Sequence, residues 1–254
     1  MAKKVRRLGR NIFLFVLFMA LASLAAFYLS DYYYEPPFKH YNKFGIDLPT
    51  QYNIHGIDVS RHQNRISWDD VKAMKVNNIG ISFAFMKATE GTDFVDEQLN
   101  NNMRNAKEVG ITRGAYHFFT GSKSGKAQAI HFLEHVSLKK GDLPPVLDVE
   151  QANGASVTDV QQRVADWLSI IEKVYKVKPI IYSNVDFYKT YLAGRFDSYP
   201  LWVAHYFVKD KPRIDRNWVF WQHNENGLVN GIRSKVDFNV FNGDSTAFSQ
   251  LLIQ

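Results

Sequence analysis

Short apolar runs alternate with amphipathic stretches along most of the chain, and this rhythm limits the possible folds more than any other feature of the sequence. Five apolar runs come first, and each is followed by a segment with helical signals. They span residues 54–60, 80–88, 112–119, 144–150 and 178–184. Parallel neighbouring strands need long crossover connections, which are usually helices. The alternation therefore predicts an α/β fold built on a parallel sheet.

The predicted helices have recognisable boundaries and apolar faces. Ser67 is placed as the N-cap of the first, with Asp69 and Asp70 in its first turn, and Gly110 closes the second. The fourth helix is the clearest, because its apolar residues recur at spacings of three and four. These residues are Val160, Val164, Trp167, Leu168, Ile171, Val174 and Tyr175. A face of this length must pack against another element.

The last third of the domain has a different rhythm. Strand-like runs at residues 201–206, 218–224 and 236–241 are separated by loops too short or too polar for full helices. Eight strands in total favour a closed modified TIM barrel, with five β/α units followed by three further strands. The alternative is a doubly wound open sheet, but no G-x-G-x-x-G or G-x-x-x-x-G-K-[ST] follows any strand.

The N-terminal region predicts attachment to a membrane. Residues 12–29 carry no charge in 18 positions and would make a helix about 27 Å long, close to the thickness of a bilayer core. Basic residues precede this run, so the bulk of the chain is expected on the extracytoplasmic side of the cytoplasmic membrane. A cleaved signal peptide is the alternative, since Ala20-Leu21-Ala22 fits a cleavage pattern and would give a secreted protein.

This interpretation divides the chain into four segments. They are a basic cytoplasmic segment at 1–11, an anchor at 12–29, a stalk or lead-in at 30–52, and a barrel domain at 53–254. The net charge is +6, but five of those charges lie in the basic segment, which leaves +1 for the rest. No nucleic-acid partner is therefore expected, because a polyanion needs a clustered basic face. The absence of cysteine excludes disulfides, thiol catalysis and cysteine-ligated metals.

Acidic residues stand at the ends of several predicted strands. Asp148 and Glu150 close the fourth, and residues at i and i+2 of a strand share a face. Active sites of TIM barrels lie at the C-terminal ends of the strands. Asp58 and Asp237 belong to the first and last strands, which are neighbours in a closed barrel. A lone acid of this kind is usually a helix cap or a solvated carboxylate, but four together indicate a catalytic cluster.

A zinc-peptidase pattern, H-x-x-E-H, also occurs between His131 and His135. Ala129, Phe132 and neighbouring apolar residues define the inner face of that helix, so both histidines are expected to face solvent. Zinc catalysis would also require a third ligand and an open coordination position. We therefore expect neither a catalytic metal nor any other cofactor.

Eight motifs in order resemble glycoside hydrolase family 25, the Chalaropsis-type lysozymes. They are GIDVSRHQ, MKATEG, RGAYHFF, PPVLDVE, PIIYSN, LWVAHY, WQ and VDFNVFNG, and they extend over about residues 54 to 243. The resemblance implies a barrel of five β/α units and three further strands, which agrees with the element count. It also implies hydrolysis of the β-1,4 bond between N-acetylmuramic acid and N-acetylglucosamine in peptidoglycan.

The resemblance assigns roles by motif. Glu150 would be the general acid, and Asp148 would orient the 2-acetamido group of the substrate, whose carbonyl oxygen could attack the anomeric carbon. Asp58 and Asp237 would line the same cleft. Candidate sugar contacts are Tyr116, Tyr182, Trp202, Tyr206, Trp221 and Gln222. The separation of the carboxylates, which distinguishes inverting from retaining mechanisms, cannot be taken from a sequence.

Location and activity together predict an enzyme that acts on nearby cell wall, in remodelling or turnover. Two other functions remain open. One is a glycan-binding protein without activity, although all four acids are present. The other is a glycosidase on another N-acetylated polymer, such as chitin. The oligomeric state is not predicted.

Overall fold

The computed structural model describes residues 14–24, 26, 37–208 and 210–254, in two units, Met1–Pro37 and Phe38–Gln254. In the first unit, residues 14–24 are helical and exposed; this helix is α1. No helix in the described residues is both long enough and apolar enough to span a membrane. The predicted anchor at 12–29 falls partly outside this description, and the basic segment 1–11 falls wholly outside it.

Among the residues that the structure describes, the second unit contains twelve strands, and eight of them close into a barrel. The strands are β1 (Phe38–Tyr41), β2 (Ile46–Pro49), β3 (His55–Val59), β4 (Lys75–Val76), β5 (Ile79–Glu90), β6 (Phe94–Val95), β7 (Thr112–Phe118), β8 (Val146–Asp148), β9 (Ile180–Asn184), β10 (Leu201–Ala204), β11 (Phe220–Gly227) and β12 (Val236–Phe241). The barrel order is β3-β5-β7-β8-β9-β10-β11-β12, and β12 pairs back onto β3. Within the barrel, neighbouring strands are parallel except for the two pairs made by β12. The predicted eight-stranded barrel is confirmed.

Helices follow the first five barrel strands, as predicted. They are α2 (Trp68–Ala73), α3 (Leu99–Glu108), α4 (Gly125–His135), α5 (Val157–Tyr175) and the short α6 (Val185–Phe187), which continues into a π-helical turn at Tyr188–Leu192; α7 (Ser245–Leu251) lies near the C-terminus. The stripe predicted for α5 is buried from Val160 to Ile171, while Val174 at its end is exposed. Ser156 caps this helix by accepting a hydrogen bond from the backbone N–H of Asp159.

The folded unit begins earlier than the expected boundary at residue 53. β1 and β2 form an antiparallel hairpin within the segment interpreted as a stalk or lead-in. Phe44, Ile46 and Leu48 of this hairpin are buried, and the Phe44 ring lies 5.3 Å from that of Phe238. The last barrel strands have no full crossover helix, so the hairpin covers apolar side chains on their outer face.

Aromatic side chains fill the lower part of the barrel interior. The Phe83 ring lies 4.9 Å from that of Phe220 and 5.8 Å from that of Phe85, and Phe85 stacks on Trp202 at 4.5 Å. Gly56 leaves room for these rings, because a Cβ there would lie 2.5 Å from the Phe83 ring. These closely packed rings form an apolar layer in the barrel, below the polar side chains at the C-terminal ends of the parallel strands.

We expect Gly56→Ala to destabilise the protein by about 1–3 kcal/mol, because the ring of Phe83 packs against three other rings and has little room to move aside. The free energy of unfolding from guanidinium titration measures this cost. Gly80→Ala is the matched control, since the nearest atom to a Cβ at that position is 3.4 Å away. Equal stabilities of the two variants would show that the aromatic rings inside the barrel can shift to make room for a Cβ at position 56.

Candidate active site

A cavity of about 420 Å³ lies at the C-terminal ends of the parallel strands, and all four predicted acids line it. They are Asp58, Asp148, Glu150 and Asp237. A larger groove of about 910 Å³ is lined by residues of the 64–70, 105–109 and 231–233 segments and includes none of these acids. The chemistry of the side chains, rather than the volume, therefore identifies the functional cavity.

The barrel register brings the acids together. Asp148 ends β8, flanked by Phe118 of β7 and Tyr182 of β9 as Cα partners. Asp237 stands near the start of β12, yet it pairs with Asp58 near the end of β3 because β12 runs antiparallel. The start of β12 therefore lies at the same end of the barrel as the ends of the parallel strands. Closure of the barrel is what unites the first and last acids.

Asp58 is the centre of a buried hydrogen-bond network. Its Oδ2 accepts from Gln222 Nε2 at 2.7 Å and from Asn239 Nδ2 at 2.7 Å. Gln222 Oε1 in turn accepts from the hydroxyls of Tyr182, at 2.8 Å, and Tyr206. The side-chain amides of Gln222 and Asn239 thus fix the carboxylate of Asp58. Each amide is itself held by aromatic side chains, Gln222 by the two tyrosines and Asn239 by Trp202. The orientation of Asp58 is set before any substrate enters.

Asp58 and Asp237 form the first acidic pair of the cavity. The two residues are Cα partners in the β3–β12 pair and both line the cavity, and each carboxyl group shifts the pKa of the other. Burial raises the pKa of both, and the negative charge of Asp58 raises that of Asp237 further. Amide donors from Asn239 and Gln222 oppose the rise at Asp58. Asp237 therefore holds the proton, and the pair carries one negative charge at neutral pH.

Asp148 and Glu150 form a second acidic pair on one face of the same strand end. Burial raises the pKa of Asp148 well above its usual range, and the charge of Glu150 adds to this. Burial, followed by the charge of Asp58, also raises the pKa of Glu150. Asp148 Oδ1 is buried and has no hydrogen-bond partner among the described residues. This pair therefore favours a protonated member and offers an acceptor that a ligand can satisfy.

Lys87 is a basic side chain that lines the same cavity. Its Nζ lies 2.6 Å from Glu90 Oε2 and 4.7 Å from the centroid of the Phe118 ring. Its positive charge lowers the pKa of both Asp148 and Glu150, against the larger effect of burial. Lys87 therefore limits how far the second acidic pair is shifted towards its neutral forms.

Five of the six predicted sugar contacts line the cavity. They are Tyr116, Tyr182, Trp202, Tyr206 and Gln222. The prediction for Trp221 was wrong, because side chains alternate along β11 and Gln222 points inward. Trp221 lies on the outer face, where its ring is 5.9 Å from that of Phe38 and its Nε1 donates to the backbone oxygen of His205 at 2.9 Å.

Sequence reasoning did not assign Glu225 or Asn239 to the site. Glu225 lines the cavity because β11 has register shifts on both sides of Asn224. Asn224 pairs with the outward-facing Phe238, and Glu225 then faces inward. Strict alternation gives the opposite result, so the sequence carried no signal for this bulge. Asn239 follows Asp237 at i+2, and that spacing does predict a shared face.

The H-x-x-E-H motif lies on α4 and does not contribute to the cavity. His135 is exposed, as expected, but His131 is buried. Its Nε2 donates to the backbone oxygen of Phe94 at 2.9 Å. The expectation that both histidines face solvent was therefore wrong for His131, because β6 packs against that side of the helix.

Two acidic pairs line one cavity together with tyrosine and tryptophan side chains, at the mouth of a (β/α) barrel, and this arrangement suits the hydrolysis of sugars by acid–base chemistry. The family model "Glycosyl hydrolases family 25" matches residues 57–232. The chain belongs to glycosyl hydrolase family 25, and it is a glycoside hydrolase. The resemblance seen in its motifs is confirmed.

Individual proteins agree with this assignment. The chain is 46% identical to YegX of Escherichia coli K12 over 85% of its own length and 79% of that protein. It is 36% identical to Lysozyme M1 of Streptomyces globisporus, over 76% and 69% of the two lengths. A family 25 glycosyl hydrolase from Bacillus anthracis superposes with a TM-score of 0.74 and 30% identity, covering 84% of this chain and 98% of that one.

Proposed function

We propose that the chain is a lysozyme, an N-acetylmuramidase that cleaves the β-1,4 bond between N-acetylmuramic acid and N-acetylglucosamine in peptidoglycan. The carrying observation is the buried, unpartnered Asp148 Oδ1 beside Glu150. An acetamido N–H of the substrate is a donor of the right kind for that oxygen. The names of relatives support the same substrate class: Lysozyme M1 and, at 24% identity, the N,O-diacetylmuramidase of Chalaropsis.

Substrate binding places the catalytic proton on Glu150. In the free protein both acids of the pair have raised pKa values, so they compete for protons. A hydrogen bond from the acetamido N–H to Asp148 favours its ionised form and lowers its pKa. Glu150 is then the member of the pair that retains the proton. This division supplies one general acid and one carboxylate from two similar groups.

Bond cleavage follows from this arrangement. Glu150 gives its proton to the glycosidic oxygen as the bond to the anomeric carbon breaks. The acetamido carbonyl oxygen forms a bond to that carbon from the opposite face, and Asp148 stabilises the positive charge that develops on the acetamide. Glu150, now ionised, takes a proton from the water that opens this cyclic intermediate. The single negative charge on the Asp58–Asp237 pair stabilises positive charge at the ring.

The Lys87→Met variant tests the electrostatic part of this mechanism. Lys87 lowers the pKa of both Asp148 and Glu150, so its removal raises both. Activity requires Asp148 to be ionised and Glu150 protonated, and both limbs of the kcat/KM profile are expected to move to higher pH. Lys87→Arg retains the charge and serves as the control. A profile that does not move in Lys87→Met would contradict the assignment of these two groups.

We also propose that the enzyme acts outside the cytoplasm, anchored by a transmembrane helix at residues 12–29, in wall remodelling or turnover. The support is the uncharged run of 18 residues behind five basic residues. Fractionation of cells expressing the full chain tests this, with detergent release as the readout. Recovery of the bulk of the protein in the membrane-free fraction would contradict the anchor without affecting the proposed reaction.

A comparison of two substrates separates the proposal from its rivals. The full chain, solubilised in mild detergent, is expected to release reducing ends from purified peptidoglycan far faster than from chitin. Faster release of reducing ends from chitin would favour the alternative of a glycosidase that acts on another N-acetylated polymer. Binding to peptidoglycan without the release of reducing ends from either polymer would favour a glycan-binding protein.

A further inference from the structure

We propose that His131, Glu134 and His135 on α4 form a binding site for a divalent transition-metal ion, with Zn²⁺ as the ion that the donor set fits best. Each residue offers one ligand atom, and these atoms lie within 4.8 Å of one another. None of the three lines the catalytic cavity. The site is therefore separate from the proposed reaction, and neither proposal depends on the other.

Helix geometry brings the three side chains to one face. Residues spaced by three and four positions are neighbours on a helix, and His131 is followed by Glu134 and His135 at those spacings. The two imidazole rings have centroids 4.8 Å apart. Ligand atoms around a tetrahedral Zn²⁺ are bound at about 2.0–2.2 Å, so small side-chain rotations bring this set to coordinating distance.

The hydrogen bonds of both histidines leave a lone pair free for a metal. His131 Nε2 donates to the backbone oxygen of Phe94 at 2.9 Å, so Nδ1 is the unprotonated nitrogen of the neutral ring. His135 Nδ1 donates to the backbone oxygen of His131 at 2.9 Å, so Nε2 is unprotonated. A carbonyl oxygen that holds the second ring nitrogen is the usual outer partner of a metal-ligating histidine. Both histidines thus have the hydrogen bonds typical of metal ligands, in addition to their clustering with Glu134.

The donor chemistry selects the class of ion. Two imidazole nitrogens and one carboxylate suit Zn²⁺ and its late first-row neighbours, whereas Mg²⁺ and Ca²⁺ prefer oxygen ligands. His131 is buried while Glu134 and His135 are exposed, so the site has a fixed inner ligand and open access from solvent. A water molecule can complete the coordination. Because none of the three residues lines the catalytic cavity, the role of the site is structural or regulatory.

Metal binding would strengthen a link between α4 and the wall of the catalytic cavity. Phe94, whose carbonyl oxygen accepts from His131, belongs to β6, and its ring lies 5.6 Å from Lys87 Nζ. A metal on Nδ1 makes the Nε2–H a better donor, which holds β6 more firmly against the helix. Stabilisation of the folded protein is therefore the expected consequence.

Calorimetric titration of the full chain with Zn²⁺ near neutral pH tests the site. We expect one Zn²⁺ per chain, and a rise in Tm of roughly 5 °C or more at about 100 times the Kd. His135→Gln removes an exposed ligand without disturbing the core, and it should weaken binding at least about tenfold. His40→Gln is the matched control, since His40 is an exposed histidine on the β1–β2 hairpin, paired with Asp47.

The possible outcomes are distinct. Loss of affinity in His135→Gln, with unchanged affinity in His40→Gln, supports the site. Zn²⁺ binding that His135→Gln leaves intact overturns it, because the ion would then be held elsewhere. Absence of binding by the wild-type chain overturns it as well. Circular dichroism of each variant confirms that the fold is retained, and none of these readouts depends on catalytic activity.

Discussion

Glu150→Gln is expected to lower kcat on purified peptidoglycan by about 10²–10⁴-fold, the usual contribution of a general acid. Glutamine has nearly the shape of glutamic acid but holds no proton that it can transfer to the glycosidic oxygen. KM should change little, because the substituted side chain still fills its place in the cavity wall. The release of reducing ends, followed over time at saturating substrate, measures the effect.

The control for this variant is Glu97→Gln, which removes an exposed carboxylate away from the cavity. It should retain wild-type kcat. Tm values must also be compared, so that unfolding is not mistaken for lost chemistry. Since burial raises the pKa of Glu150, the folded state favours its neutral form, and a neutral glutamine should not lower Tm at neutral pH. A fully active, folded Glu150→Gln variant would remove Glu150 from the mechanism.

Asp148→Asn is expected to lower kcat by about 10²–10³-fold, because it removes the negative charge that stabilises the positively charged acetamide. The asparagine oxygen can still accept the acetamido N–H, so binding should be weakened less than catalysis. The folded pKa of Asp148 lies above its unfolded value, so the stability that this group contributes at low pH is lost as the pH rises. The variant should therefore be at least as stable as wild type at neutral pH.

N-deacetylated peptidoglycan isolates the role of the acetamide. The wild-type enzyme should be slow on this substrate, because the internal nucleophile is missing. Asp148→Asn should then cause little further loss, since the charge that Asp148 stabilises no longer forms. Effects that are not additive in this way indicate coupling between the side chain and the acetamide. Two independent losses that multiply would mean that Asp148 acts by another route.

The barrel could be predicted from the sequence because its strands and its longer helices have local patterns. Apolar residues alternate within the strands, and they recur at spacings of three and four in α5, because one face of each element is buried. The acids could be predicted for a related reason: Asp148 and Glu150 share a face by strand geometry alone. The pairing of Asp58 with Asp237 needed one further premise, that the barrel closes, and the β3–β12 pairing satisfies it.

Other features depend on contacts that leave no local pattern. The β1–β2 hairpin was interpreted as a lead-in because its aromatic residues have no period; they pack on strands almost two hundred positions away. The bulge in β11 reverses the direction of Glu225, and bulges are set by tertiary strain rather than by residue type. Which acids of the cavity hold a proton also cannot be predicted from the sequence. It depends on burial and on the amide donors that hold Asp58.

The central claim is that this chain is a muramidase, and the identity of the new chain ends tests it most directly. Purified peptidoglycan is digested with the full chain, the products are reduced with borohydride, and the reduced sugars are identified after acid hydrolysis. We expect that muramitol forms and that Glu150→Gln yields almost none. Glucosaminitol as the reduced sugar, or products without any new reducing end, would contradict it.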